Sequence, residues 1–172
     1  MAMTLLIGGA RAGKSTLAVR RAVESGLPVT FIATAEALDD EMAERIAGHR
    51  AGRPAEWATV EEPRDLPRSL KDVPPGDAVI VDCLTLWISN LLLDELDHEE
   101  ITARAEEAAE LAAQREGPTF VVTNDVGSGV VPDSELGRRF RDLLGRVNSI
   151  WSEEAADALL VLAGRVTPLE RW

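Results

Sequence analysis

Gly8-Gly9-Ala10-Arg11-Ala12-Gly13-Lys14-Ser15 decides the fold. It fits the phosphate-loop pattern G-x-x-x-x-G-K-[ST] at every fixed position. Its surroundings agree: Thr4–Gly8 is a short apolar run that suits a buried strand, and Lys14–Ser25 has helical character until Gly26 and Pro28 end it. Glycines in such a turn let consecutive backbone N–H groups face inward around phosphate oxygens at the positive end of a helix. Lys14 then reaches the β- and γ-phosphates, and the Ser15 hydroxyl is placed to ligate Mg²⁺. The bland alternative, an ordinary glycine-rich turn before a helix, explains the glycines but not the Lys-Ser pair that follows them.

Outward from this loop, apolar runs alternate with helix-period stretches, as in a parallel sheet with crossover helices. Strands are expected at Val29–Ala33, residues 56–60, Ala78–Asp82, Thr119–Thr123 and Ala158–Ala163, the last closing the set. Helices are expected from Asp39 or Asp40 to about His49, over Leu84–Leu93, from about Glu99 to Arg115, and from Pro132 to about Ala155. A Pro- and charge-rich connection fills the space before Ala78. With no repeat and no long linker, residues 1–172 read as one doubly wound α/β domain. Ala78-Val79-Ile80-Val81-Asp82 is four apolar residues ending in a carboxylate. On a strand beside the phosphate loop, Asp82 would hold Mg²⁺ directly or through water.

Composition narrows the partners. The 172 residues carry 30 acidic and 18 basic side chains, a formal net charge of −12, and that field repels nucleic acid and anionic membranes. Cys83 is the single cysteine, and with His49 and His98 as the two histidines a structural zinc site is not expected. No apolar stretch approaches the roughly 20 residues needed to span a bilayer. A cytoplasmic location is the expectation.

Asp39 to Pro54 is an unusual stretch for an acidic chain, with Arg45, Arg50 and Arg53 gathered around His49. Met42, Ile46 and His49 fall at i, i+4 and i+7 on one face. A histidine so placed could meet a polyphosphate. On the residues alone a packed histidine on a surface helix is the commoner outcome.

The order of motifs along the chain adds to this. Gly8–Ser15, Ile32-Ala33-Thr34-Ala35, the stretch from residue 38 to Met42 with His49 and Gly52-Arg53-Pro54, Asp82-Cys83-Leu84-Thr85 with Asn90-Leu91-Leu92, Thr123-Asn124-Asp125-Val126-Gly127-Ser128-Gly129-Val130-Val131-Pro132, and Arg139-Phe140-Arg141-Asp142 with Gly145-Arg146-Val147-Asn148 closely resemble the bifunctional adenosylcobinamide kinase / adenosylcobinamide-phosphate guanylyltransferase family. The resemblance covers nearly the whole chain. It implies a P-loop NTPase fold of RecA-like kind, a mostly parallel sheet flanked by helices. It also implies two reactions: phosphorylation of adenosylcobinamide by ATP or GTP, then transfer of GMP from GTP through a guanylylated histidine, to which His49 corresponds. By the same resemblance Ile32, Ala33, Thr34, Gly52, Arg53, Glu61 and Asp82 join Gly8, Gly9, Ala10, Arg11, Ala12, Gly13, Lys14 and Ser15 around the nucleotide. Glu61 is the expected reader of guanine, with Glu62 its rival. Mg²⁺ is the expected cofactor, and a homo-oligomer, a homotrimer by the family's pattern, the expected assembly. The main alternative is a P-loop small-molecule kinase or ATPase with no covalent histidine step.

Several residues stay with plainer roles. His98 sits at a helix start, and Glu106, Glu107 and Glu110 read as a wet helix face. Trp57, Trp87 and Trp151 are more often core or subunit contact than platforms for a corrin ring. Arg138, Arg139, Arg141 and Arg146 either hold phosphate across a subunit boundary or pair with Asp133, Glu135 and Asp142. Asn124-Asp125-Val126-Gly127 follows a strand, where open α/β sheets place ligand loops, and has no assigned role.

Overall fold

Runs of consecutive apolar residues become strands covered on both faces, because crossover helices leave neither side to water. The structure, a computed structural model, describes residues 3–37 and 39–172; at Glu41, Arg45 and His49 it describes the backbone alone. Six strands, β1 (Met3–Gly8), β2 (Val29–Ala33), β3 (Ala58–Glu61), β4 (Ala78–Asp82), β5 (Thr119–Asn124) and β6 (Asp157–Leu162), run parallel. A seventh, β7 (Arg165–Leu169), returns antiparallel to β6, giving the order β3-β2-β4-β5-β1-β6-β7. All five residues of β2 are buried, as are the first four of β4 and the first five of β5.

The helices are α1 (Lys14–Ser25), α2 (Asp40–Ala51), α3 (Leu66–Asp72), α4 (Leu84–Leu93), α5 (His98–Ala113) and α6 (Glu135–Glu154). Helices α3 to α6 bury Leu66, Leu70, Leu84, Trp87, Ile88, Leu91, Ile101, Leu144 and Trp151 against one sheet face. Trp87 and Trp151 are therefore core and offer no surface to a corrin ring. On the other face α1 approaches with Ala18 and Ala22, both fully buried, over Phe31, Ile80 and Phe120. Small residues let that helix sit close, which draws the phosphate loop tightly onto the strand ends.

Helix α2 is different. Asp39 caps it by accepting from the Met42 N–H at 2.7 Å, but none of its described side chains is buried. Met42 and Ile46 are half-buried, and what they face is a cavity.

The structure corrects four expectations. The connection before β4 contains α3, capped by Asp65 (which accepts from the Arg68 N–H) with Pro67 in its first turn. Proline there marks a helix start and not a loop, because the missing N–H is one no helix satisfies at its N-terminus. The third strand lies at 58–61 instead of 56–60. Helix α6 starts at Glu135 under a Ser134 cap, not at Pro132. Lastly, β6 is not the final strand. All five residues of β7 are exposed, so no apolar alternation announces it.

A buried cation locks the α3–β4 connection. The Arg115 guanidinium donates to the carbonyls of Leu70, Val73, Pro74 and Asp77 at 2.7–3.2 Å, and burial pushes it below the usual arginine range.

Candidate functional site

The phosphate loop owes its shape to two residues in left-handed backbone conformation, Arg11 (φ 57°) and Gly13 (φ 100°). Gly13 caps α1 without any side-chain hydrogen bond, so the first N–H groups of that helix face the loop. Tertiary contacts hold the turn in place. A side chain at Gly8 would meet the Val161 carbonyl oxygen of β6 at 2.1 Å. The Gly164 N–H, in the turn between β6 and β7, donates to the Ala12 carbonyl at 3.1 Å. Lys14 is 6% exposed, and its Nζ donates to the Gly8 and Gly9 carbonyls at 3.0 and 2.6 Å. The lysine is thus folded over the loop whose ligand it would share.

From this loop a cavity of about 1160 Å³ extends across the strand ends to α2 and β3. Ala10, Arg11, Ala12, Gly13, Lys14 and Ser15 form one end, and Asp82 and Asn124 the floor. Met42, Glu44, Ile46, Arg50, Arg53 and Glu61 form the far wall. An adjoining recess of about 290 Å³ shares Ser15, Arg53 and Asp82 and adds Gly48 and Gly52. Asp82 does not stand on the neighbour of the loop strand: β5 lies between β1 and β4. Asn124, at the end of the inserted strand, lines the same cavity as Lys14 and Asp82.

Arg53 joins the two walls. Its guanidinium carbon lies 3.4 Å from the Phe31 ring centroid, close enough for cation–π attraction. Burial lowers its pKa from the ordinary value, while the charge of Asp82 acts the other way. Its Nε is buried without a hydrogen-bond partner among the described residues. Nearby, Arg50 pairs with Glu61 at 3.4 Å, both side chains about two-thirds exposed.

Two expected site residues lie behind the cavity wall. Ile32 is fully buried in the core under α3 to α6. Thr34 is fully buried too, and every polar group it has is committed. Its N–H donates to the Asp82 carbonyl, its hydroxyl donates to the Cys83 carbonyl and accepts from the Cys83 N–H, and its own carbonyl accepts from Asn90 Nδ2. Thr34 fixes the backbone at Asp82 through these bonds. Gly8 and Gly9 shape the loop through Lys14 and do not line the cavity. Backbone position 49 lies in α2, three residues beyond Ile46 and one before Arg50; the side chain of His49 lies outside the described residues.

No sequence motif points to Arg64. It bridges Glu36 on the cavity wall at 2.7 Å and Asp94 beyond α4 at 2.6 Å, and its carbonyl accepts from the indole of Trp87. These partners raise the Arg64 pKa above the usual arginine range and lower that of Asp94. Residues 36, 64 and 94 come from three connections, so no local pattern could link them. In the arginine-rich part of α6, Arg138 donates to the Pro132 and Asp133 carbonyls and Arg141 pairs with Asp142. None of the four arginines lines the cavity.

The model of the cobinamide kinase / cobinamide phosphate guanyltransferase family matches residues 4–169. The chain belongs to that family. It is 45% identical over 167 residues to the bifunctional adenosylcobalamin biosynthesis protein CobP of Pseudomonas aeruginosa PAO1, covering 96% of each chain. It is 42% identical over 175 residues to the corresponding CobU protein of Escherichia coli K12, covering 94% of this chain and 96% of that one. The CobU protein of Salmonella typhimurium LT2 is 41% identical over the same length and shares. Solved structures agree on the fold alone. RadB recombinase superposes with a TM-score of 0.52 at 19% identity, over 92% of this chain and 73% of that one. A protein of Pyrococcus horikoshii OT3 does so with 0.57 at 10% identity, over 97% and 85%. The sheet is that of the RecA-like P-loop fold, and by family this cobinamide kinase and guanylyltransferase is a transferase of adenosylcobalamin biosynthesis.

Proposed function

We propose that both family reactions use the one cavity, with the nucleotide triphosphate seated on Gly8–Ser15 and His49 taking up GMP. The observation that carries this is the continuity of the cavity from the phosphate loop to α2, the helix on which His49 sits between cavity-lining Ile46 and Arg50. In the first reaction a nucleoside triphosphate, ATP or GTP, phosphorylates the hydroxyl of the aminopropanol arm of adenosylcobinamide. Lys14 exchanges its two loop carbonyls for β- and γ-phosphate oxygens and offsets charge on the moving phosphoryl group. The donor set of a serine hydroxyl and a carboxylate suits Mg²⁺, a hard cation that usually takes one or two protein oxygens beside substrate phosphates and water. Ser15 and Asp82, which share both recesses, would hold it, and when bound it would neutralise phosphate charge.

In the second reaction a neutral imidazole nitrogen of His49 attacks the α-phosphorus of GTP. The N–P bond forms as the bond to the bridging oxygen breaks, and pyrophosphate leaves. The phosphate of adenosylcobinamide phosphate then displaces the histidine, giving adenosylcobinamide-GDP. Arg53, whose Nε has no partner among the described residues and which feels the charge of Asp82, is placed to balance charge on the α-phosphate, and Glu61 to accept from the guanine N1–H and N2–H₂ groups. A corrinoid is large for a domain with this few exposed aromatics, which supports a homo-oligomer, a trimer by the family's pattern, in which a neighbour covers the substrate.

Incubation with α-labelled GTP, denaturation and intact-mass measurement test the reading. The expected result is a GMP adduct on a peptide containing residue 49, stable in alkali, released by mild acid and lost in His49→Asn. Nucleotide turnover with no adduct on either protein would leave a plain P-loop kinase.

A further inference from the structure

Asn124 ends β5, the strand inserted between the loop strand β1 and the Asp82 strand β4. The register pairs it with Gly8, the first glycine of the phosphate loop, and Val122, two residues earlier, with Asp82. Its main chain is anchored from both sides. The N–H donates to the Thr85 hydroxyl of α4 at 2.8 Å, and the carbonyl accepts from Asn148 Nδ2 of α6 at 3.0 Å. Asn148 is in turn held by the Thr123 hydroxyl, which donates to its Oδ1 at 2.6 Å in the buried interior. The next residue, Asp125, donates its N–H to the Gly8 carbonyl at 3.2 Å and turns its carboxylate back onto the Gly127 N–H and the Ser128 hydroxyl. Four elements therefore converge to fix one half-buried residue on the cavity floor.

The side-chain carboxamide is the polar group Asn124 has left, and no hydrogen bond engages it among the described residues. A neutral amide there, level with Gly8 in the register and lining the same cavity as Lys14 and Asp82, offers an N–H donor without adding charge. We infer that Asn124 binds the terminal phosphate of the nucleotide triphosphate, distinguishing triphosphate from diphosphate, with Thr85 and Asn148 as its positioning residues. The inference rests on the nucleotide reading of the cavity and adds a ligand-contacting residue to it. A hydrogen bond to a charged oxygen is worth enough to change affinity by about ten- to a hundredfold.

The test is calorimetric titration of the full-length protein with GDP and with the β,γ-imido analogue of GTP, both with Mg²⁺. Asn124→Ala should bind the analogue at least tenfold more weakly than wild type while GDP affinity stays within about twofold. Asn124→Asp keeps the size and both main-chain anchors, and so the fold. It replaces the donor with a carboxylate and should lose more analogue affinity still, again sparing GDP. Equal losses for both nucleotides, or no loss for either, in the aspartate variant would overturn the inference while leaving the nucleotide site intact. If wild type bound neither nucleotide, the reading of the cavity would fall with it.

Discussion

The two ends of the cavity are built by opposite means. At the phosphate end, main-chain groups do the shaping and buried contacts fix them: Gly8 is wedged against Val161, Ala12 is tied to Gly164, and Lys14 is nearly covered. At the α2 end the wall is made of half-exposed side chains, and its ion pair, Arg50 with Glu61, is open to water. A site that must hold a triphosphate in one pose needs the first kind of wall. A site that must admit a nucleoside and then a corrinoid, and present a nucleophile to each, is served by the second. The contrast predicts that substitutions at the closed end will act through the fold, and those at the open end through the ligand.

The largest effect is expected at Gly8. A methyl group there would overlap a backbone oxygen of β6, which cannot move without breaking the β1–β6 ladder. Gly8→Ala should cost more than about 4 kcal/mol or prevent folding, read as soluble yield and urea midpoint. A near-native midpoint would show the closed end to be softer than its contacts indicate.

Thr34 comes next. Thr34→Val keeps the shape but leaves the half-buried Cys83 N–H without its hydroxyl acceptor, a loss of about 1–3 kcal/mol. The same change frees the backbone carrying Asp82, so nucleotide turnover should fall as well. Unchanged stability in urea titration would mean that the hydroxyl pair is replaced easily.

At the open end, Arg50→Ala should change stability by less than about 0.5 kcal/mol, since an ion pair exposed on both sides contributes little. What should move is the KM for GTP, with the urea midpoint staying put. A shift in the midpoint instead would make Arg50 a structural residue and erase the contrast.

The same contrast explains what sequence made legible. The strands β2 and β4, and helices α1 and α4, could be bounded to the residue because buried parallel strands are continuous apolar runs and glycine or aspartate punctuates them. The phosphate loop was legible because its chemistry is local. The main-chain bonds of Thr34 are not legible, because a motif names a position without saying which way the chain turns. Its hydroxyl meets Cys83, 49 residues away. Arg64 was invisible because its partners lie 28 and 30 residues off. Strand β7 was missed because an edge strand exposed on both faces carries no pattern, and Pro168 within it reads as a break although an edge tolerates it.

Cys83 offers the mildest probe of the difference, since its readout is thiol reactivity and not turnover. It sits on the cavity wall beside Asp82, where burial, reinforced by that carboxylate's charge, pushes its thiol up to about 11. The thiolate is the reactive form. With its pKa raised in the folded state, the thiol stays protonated through pH 8. The stability that the neutral group contributes is complete below the ordinary cysteine pKa and is lost as pH rises toward 11. A cysteine placed at the open end, Arg50→Cys in a Cys83→Ser background, should titrate near the ordinary value and react with iodoacetamide at pH 8 about a hundredfold faster than Cys83 in the wild type. Comparable rates, followed by mass spectrometry of the two proteins side by side, would mean that water reaches the floor beside Asp82 as freely as it reaches α2. The closed end would then be closed in shape only, and its electrostatic strength on a phosphate correspondingly weaker.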